Sequence, residues 1–236
     1  MFLSLLRLLT VERTEDDGPP FLAAASGLAA HGGNLFVVGD DETHLAVLKP
    51  TDDEPARLVR LFPGTLPRDH KQRKAAKPDL ETLLSIPVSD TFPYGGLLAL
   101  GSGSTPNRRR GVILRFDPAG RLEDPYFPNL TALFNVADQS LPETNFEGAV
   151  LRKDDLILFN RGNRNNPNTT ALAFKMATIE TAEPVIKWRK DFVLPDAGGV
   201  PLSITDTCLL EDGTILASAV AEDTSNAYDD GRLTAA

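Results

Sequence analysis

Four polar side chains, Ser26, Glu81, Glu147 and Asp206, stand at the heads of apolar segments. Three carboxylates and a hydroxyl that converge cannot stay charged and unpaired at low cost. A hard divalent cation resolves the problem, and calcium accepts six to eight oxygens in flexible geometry. The expected metal ligands are therefore Ser26, Glu81, Glu147 and Asp206, with Ca2+ as the cofactor. Glu81 and Glu147 are the candidate catalytic residues, as carboxylates able to orient a water. Only His31, His44, His70 and Cys208 are available as nitrogen or sulfur donors, which supplies a zinc or copper site poorly.

A second set of side chains follows these segments. Arg108, Arg109 and Arg110 lie after the second, and Asn160, Arg161 and Arg164 after the third. Guanidinium groups grip phosphate or carboxylate oxygens through paired N–H donors. These six are the expected substrate-binding residues, and the expected partner is an anionic, phosphorylated small molecule. Taken singly, each anchor is better explained as structural, a turn cap or the local partner of an arginine. Recurrence at equivalent positions is what favours the metal.

The elements that must position these groups recur with them. Each anchor opens an apolar run, passes a turn, enters a second apolar run and ends in a polar loop. The second runs are Leu35–Val38, Gly96–Leu100, Leu156–Phe159 and Thr214–Ala217. Successive anchors lie 55, 66 and 59 residues apart, somewhat longer than the roughly 40–50 residues of a propeller blade. Leu45–Leu48, Gly111–Asp117 and Ala171–Phe174 read as third strands. Arg57–Phe62 and Val185–Trp188 read as outer ones, with Trp188 as a packing anchor. Leu130–Val136 is a short helix or a strand.

The fold class is all-β, a single β-propeller domain over 1–236. The full-length ring is expected to have five or six blades, with four blade starts visible here. The fourth copy lacks outer strands, so the C-terminal end reads as truncated, and Leu3–Val11 as a ring-closing strand. In a propeller the first strand of each blade lines the channel and the rest zigzag outward. All four anchors then share one mouth of the channel. The loops holding Asp40 and Asp41, Ser102–Arg110, Asn160–Arg164, and Glu222 with Asp223 open there too, and Lys71–Lys77 comes within reach.

Composition narrows the class of function. A net charge of −9 and a pI near 4.9 argue against nucleic acid as a partner. A single cysteine excludes an internal disulfide. Met1–Thr10 is apolar, but Arg7 interrupts it. It has no basic leading region or small-residue cleavage site, and it is too short to span a bilayer. A cytoplasmic protein without membrane association is expected, with its oligomeric state open.

The segments GPPFLAAASGLAAHGGNLFVVGDDETHLAV, KPDLETL, LALGSGSTPNRRRGVIL, NFEGAVLRKDDLILFNRGNR and ITDTCLLEDGTILASAVAEDT resemble a family of uncharacterised bacterial β-propeller proteins. The SGL, DLE and EGA strand starts are more distantly similar to phytase-like esterases and to calcium-activated nucleotidases. That likeness implies a channel calcium held by Ser26, Glu81 and Glu147. Asp206 departs from the glutamate the pattern would place there, and a fifth anchor is missing. Three functions stay open: a metal-dependent hydrolase of phosphoesters or related esters, a non-catalytic ligand- or protein-binding propeller with a structural cation, and a sugar-lactone hydrolase-like site. No Ser-His-Asp or Cys-His nucleophile is identifiable.

Overall fold

The computed structural model describes residues 8, 10–13, 20–22, 24–51, 53–229 and 231–235. Its strands form antiparallel sheets in chain order. The first blade is β1 (Ala25–His31), β2 (Asn34–Gly39), β3 (His44–Leu48) and β4 (Arg57–Arg60). Helix α1 (His70–Ala76) leads to the second blade, β5 (Leu80–Ile86), β6 (Gly96–Gly101) and β7 (Gly111–Arg115). Its outer edge is completed only by the isolated bridges Ile113–Tyr126 and Phe116–Leu122. Helix α2 (Thr131–Ser140) precedes the third blade, β8 (Phe146–Arg152), β9 (Asp155–Asn160), β10 (Thr169–Lys175) and β11 (Ile186–Phe192). A two-residue hairpin, β12 (Asp196–Ala197) and β13 (Val200–Pro201), leads into the last sheet. That sheet is β14 (Ser203–Leu209), β15 (Ile215–Asp223) and β16 (Arg232–Ala235).

The innermost strands pack in the order β1, β5, β8, β14. This is a β-propeller arrangement with four blades among the described residues. Blades stack face to face, so a central strand is buried on both faces and reads as an unbroken apolar run rather than an alternating one. β6 is buried throughout, and its side chains divide by parity. Leu98 and Leu100 join Leu84, Ile113, Phe134 of α2, Phe146, Leu158 and Phe174 between blades two and three. Leu97 and Ala99 join Phe36, Val38, Leu45, Leu83 and Phe116 between blades one and two. Ile157, Phe159 and Ala173 meet Ile204 and Ile215 between blades three and four.

Close approach of the inner strands depends on two glycines. A Cβ at Gly27 would stand 2.7 Å from the Leu83 nitrogen, and one at Gly148 would stand 2.9 Å from Thr207 Oγ1.

Several expectations are modified. The ambiguous segment at Leu130 is helical, because Leu133, Phe134 and Ala137 place one apolar stripe into the core. Trp188 is 38% exposed on the edge strand β11 and does not anchor two blades. His31, at the opposite mouth, stacks on Phe116 with ring centroids 4.0 Å apart. Of the expected ring-closing strand, Leu3–Arg7 and Leu9 lie outside the described residues. Val11 makes a parallel bridge to Ala56 and packs with Val37, Ala46 and Leu48 over the face of blade one. Arg13 secures this segment through two hydrogen bonds, of 3.1 and 2.9 Å, to the buried Glu42. No described helix is long and apolar enough to cross a membrane.

Candidate cation site at the channel mouth

The inner hairpin of every blade carries a register shift near the start of its first strand. Ala25 pairs with Gly39 and Gly27 with Val38; Leu80 with Gly101 and Thr82 with Leu100. Phe146 pairs with Asn160 and Gly148 with Phe159; Ile204 with Ala219 and Asp206 with Ser218. One residue is extruded each time: Ser26, Glu81, Glu147 and Thr205. A bulge bends the strand and re-aims the extra side chain, and here it does so at the same level of each blade.

The extruded residue coincides with the expected anchor at three positions and differs from it at the fourth. Thr205, not Asp206, is equivalent to Glu147. Asp206 falls in the register of Gly27, Thr82 and Gly148. Its carboxylate accepts 2.7 Å from the Thr207 N–H, and burial pushes its pKa up to about 6 with no charged neighbour contributing. It does not line the channel-mouth cavity.

In three blades two further positions are joined by a backbone hydrogen bond, and Asp40, Asp79, Asn145 and Arg161 among them line the mouth. Asp40 N–H donates to Ala24, Ser102 N–H to Asp79 and Arg161 N–H to Asn145, at 3.2, 3.0 and 2.8 Å. Each donor follows a second strand and each acceptor precedes an anchor by two. Asp79 adopts φ +57° there, a left-handed conformation that Asp tolerates better than most residues.

A cavity of about 230 Å3 opens among these groups. Asp40, Asp79 and Glu81 offer oxygens that all lie within 4.8 Å of one another. Glu147, Glu222 and Asp229 add carboxylates, while Lys77, Arg108 and Arg161 are the only cationic side chains in the wall among the described residues. Acid thus exceeds base by six groups to three. Lys77 Nζ contacts Asp40 and lies 3.0 Å from Asp79 Oδ1. Arg108 is 3.0 Å from Asp79 Oδ2, which also accepts 2.5 Å from Ser102 Oγ. Arg161 joins Glu147, at 3.3 Å, to Glu222.

Glu81 makes no hydrogen bond or ion pair among the described residues. Burial, together with the charges of Glu147, Asp79 and Asp40, holds its pKa well above the ordinary carboxylate value. Burial also raises Glu147, against the opposing effect of Arg161. Asp40 is raised by burial as well, despite Lys77, and its Oδ1 is enclosed without a partner.

The structure thus brings together Glu81, Glu147, Arg108 and Arg161 from the expected set, and adds Asp40, Lys77, Asp79 and Glu222. The other expected residues lie elsewhere. Ser26 occupies its bulge, but its hydroxyl donates to Ala24 O at 3.0 Å, outside the cavity wall. Arg109 pairs with Asp138 at 2.8 Å beside a neighbouring cavity. Arg110 bonds Asn107 and covers Phe62. Arg164 pairs with Asp223 at the surface. Asn160 is buried and structural: it accepts 2.6 Å from Asn145 N–H and donates 3.0 Å to Glu143 O. The signal for Asp40 and Asp79 was present in the sequence as fixed offsets from the anchors, at the residue after the second strand and two before the first.

The loop Asn226–Asp229 covers one side of the mouth. Tyr228 lies beneath Lys74 Nζ and the Arg108 guanidinium, each 5.0 Å from the ring centre.

No curated protein matches the chain. Among solved structures it is similar to the β-propeller domain of Cps50 (Swd1) from Myceliophteria thermophila, at 14% identity and a TM-score of 0.43. That match covers 89% of this chain and 58% of the other. It is also similar to hydrazine synthase of Kuenenia stuttgartiensis, at 8% identity and a TM-score of 0.40, over 83% of this chain and 44% of the other. A third is apo AztD from Citrobacter koseri, at 13% identity and a TM-score of 0.30, over 89% and 46%. The chain spans about half the length of these three proteins. Over residues 21–236 it matches a family of unknown function, DUF6929, and belongs to it.

Proposed function

We propose that the channel mouth binds a hard divalent cation, calcium first, and that the cation anchors an anionic small molecule. The observation that carries this reading is the surplus of carboxylate oxygen, with Glu81 unpaired and Asp40 Oδ1 enclosed and unbonded. The donors suit the ion. Two oxygens each about 2.4 Å from one calcium lie at most about 4.8 Å apart, the spread of the three carboxylates. Asp40, Glu81 and Asp79 would hold it, with Glu147 close enough to act on Glu81 electrostatically. Bound there, calcium would neutralise the surplus charge and polarise an oxygen of the ligand.

The chain's own cations leave less for the ligand than the sequence implied. Arg108 already pairs with Asp79, and Arg161 is shared between Glu147 and Glu222. Binding therefore has better support than turnover. One observation favours hydrolysis of phosphoesters or related esters as the second reading. Glu81 is a carboxyl whose pKa burial and neighbouring acids hold well above the ordinary carboxylate value, and it makes no hydrogen bond or ion pair among the described residues, the setting of a candidate general acid or base.

The test is calorimetric titration of the chelated protein with calcium, magnesium and manganese, followed by a phosphoester and lactone panel. Calcium binding that Glu81→Gln abolishes supports the reading. Absence of binding by all three metals refutes it. Turnover that needs both calcium and Glu81 selects the hydrolase over the binding propeller.

A further inference from the structure

Lys77 stands where a cation would stand. Its ammonium lies between the carboxylates of Asp40 and Asp79, and its side chain is only 12% exposed. The backbone beneath it is fixed. Lys77 N–H donates to Arg73 O at the end of α1, and Lys77 O accepts 3.1 Å from Asn107 Nδ2. Only the flexible four-carbon stem is free to relocate.

The two carboxylates depend on it unequally. Asp79 keeps Arg108 and Ser102 if Lys77 leaves. Asp40 keeps nothing: its Oδ2 is held by Lys77 and its Oδ1 is enclosed without a partner. An ion that takes an oxygen of Asp40 therefore removes the lysine's contact and supplies what Asp40 lacks.

We propose that Lys77 is a tethered counter-cation that competes with the divalent ion for Asp40 and so sets the affinity and ligand set of the site. This rests on the cation-binding reading above. While Lys77 is docked, a second positive charge is repelled and Asp40 is unavailable, so the entering ion is confined to Glu81 and its neighbours. Once Lys77 is displaced, Asp40 completes the ligand set and the ammonium is released toward solvent. The affinity measured for the whole protein is the intrinsic affinity reduced by the stability of the Lys77–Asp40 pair.

The experiment is calcium titration of the wild type, Lys77→Met and Lys77→Gln, with Glu81→Gln as the control. It is paired with amine labelling of wild-type Lys77, read by mass spectrometry with and without saturating calcium. Lys77→Met should bind calcium at least tenfold more tightly than the wild type, since a competing contact and a repelling charge are both removed. Labelling of Lys77 should rise several-fold when calcium is bound. Equal or weaker binding by the folded Lys77 variants, in a protein whose calcium site is lost in Glu81→Gln, overturns the competition and leaves the cation reading standing. Should neither variant fold, the labelling decides, and an unchanged Lys77 overturns it. No calcium binding by wild type or variants removes the cation reading, and this inference with it.

Discussion

Replacing Asp206 by Asn should stabilise the protein at neutral pH and leave calcium binding untouched. The carboxyl is half-buried, its only hydrogen-bond partner among the described residues is the Thr207 N–H, and burial moves its pKa from 3.8 to about 6. The folded state therefore binds a proton more tightly than the unfolded chain does. Between about pH 4 and pH 6 stability falls as pH rises, because the native state holds more protons there. Above pH 6 the charged carboxylate carries its full penalty. A shift of roughly two units corresponds to about 3 kcal/mol at most. Partial solvent access reduces this to about 1–2 kcal/mol. Asn keeps an oxygen able to accept from Thr207 N–H but never takes the charge. In urea denaturation, Asp206→Asn should exceed the wild type by about 1–2 kcal/mol at pH 7.5, and the difference should disappear below about pH 4. A variant less stable than the wild type at pH 7.5 would mean that a cationic partner holds the carboxylate. Loss of calcium affinity would restore Asp206 to the ligand set.

Three other outcomes follow from the same geometry. Glu81→Gln removes the carboxyl whose raised pKa makes the cation-free fold less stable as pH rises. It should melt higher than the chelated wild type at pH 8, and show no rise on adding calcium. Gly27→Ala drives a Cβ into backbone at 2.7 Å, whereas Gly148→Ala meets the Thr207 side chain, which can move. Thermal melts should show Gly27→Ala costing about 1–3 kcal/mol and Gly148→Ala less. Asn160→Ala leaves the Asn145 N–H and the Glu143 carbonyl without partners. Chemical denaturation should register a loss of about 2–4 kcal/mol.

The propeller was legible because its cause is local. Leu97–Leu100 and Leu156–Phe159 are runs with no polar interruption, and only strands covered on both faces need such runs. The last anchor was misplaced because carboxylate identity was followed, while the equivalence is one of register. A one-residue slip exchanges the two faces of a strand, so Asp206 shares the register of Gly148 and Thr205 takes the bulge position. No pattern of residue types distinguishes these; the pairing with Ala219 and Ser218 does. The arginines stand differently. Five guanidinium groups read as ligand contacts, but four of them answer carboxylates of the chain itself: Asp79, Asp138, Glu147 with Glu222, and Asp223.

The charge at the mouth is distributed unevenly, and the bulge register explains where it gathers. The three equivalent positions of the register are Ala24, Ser26 and Asp40 in blade one, and Asp79, Glu81 and Ser102 in blade two. They are Asn145, Glu147 and Arg161 in blade three, and Ser203, Thr205 and Val220 in blade four. Among the described residues, blade four contributes no charge at these levels and reaches the cavity through Glu222 near the end of β15 and the following loop with Asp229. The unpaired acid therefore lies off the channel axis, at the junction of blades one and two. Lys77, on the connection between those blades, has the shortest path to it. A cation held there would bind blade one to blade two through Asp40 and Glu81. Calcium should consequently protect the amides of β1 and β5 from hydrogen exchange more than those of β14. Equal protection across all four inner strands would place the ion on the axis and refute the off-axis site.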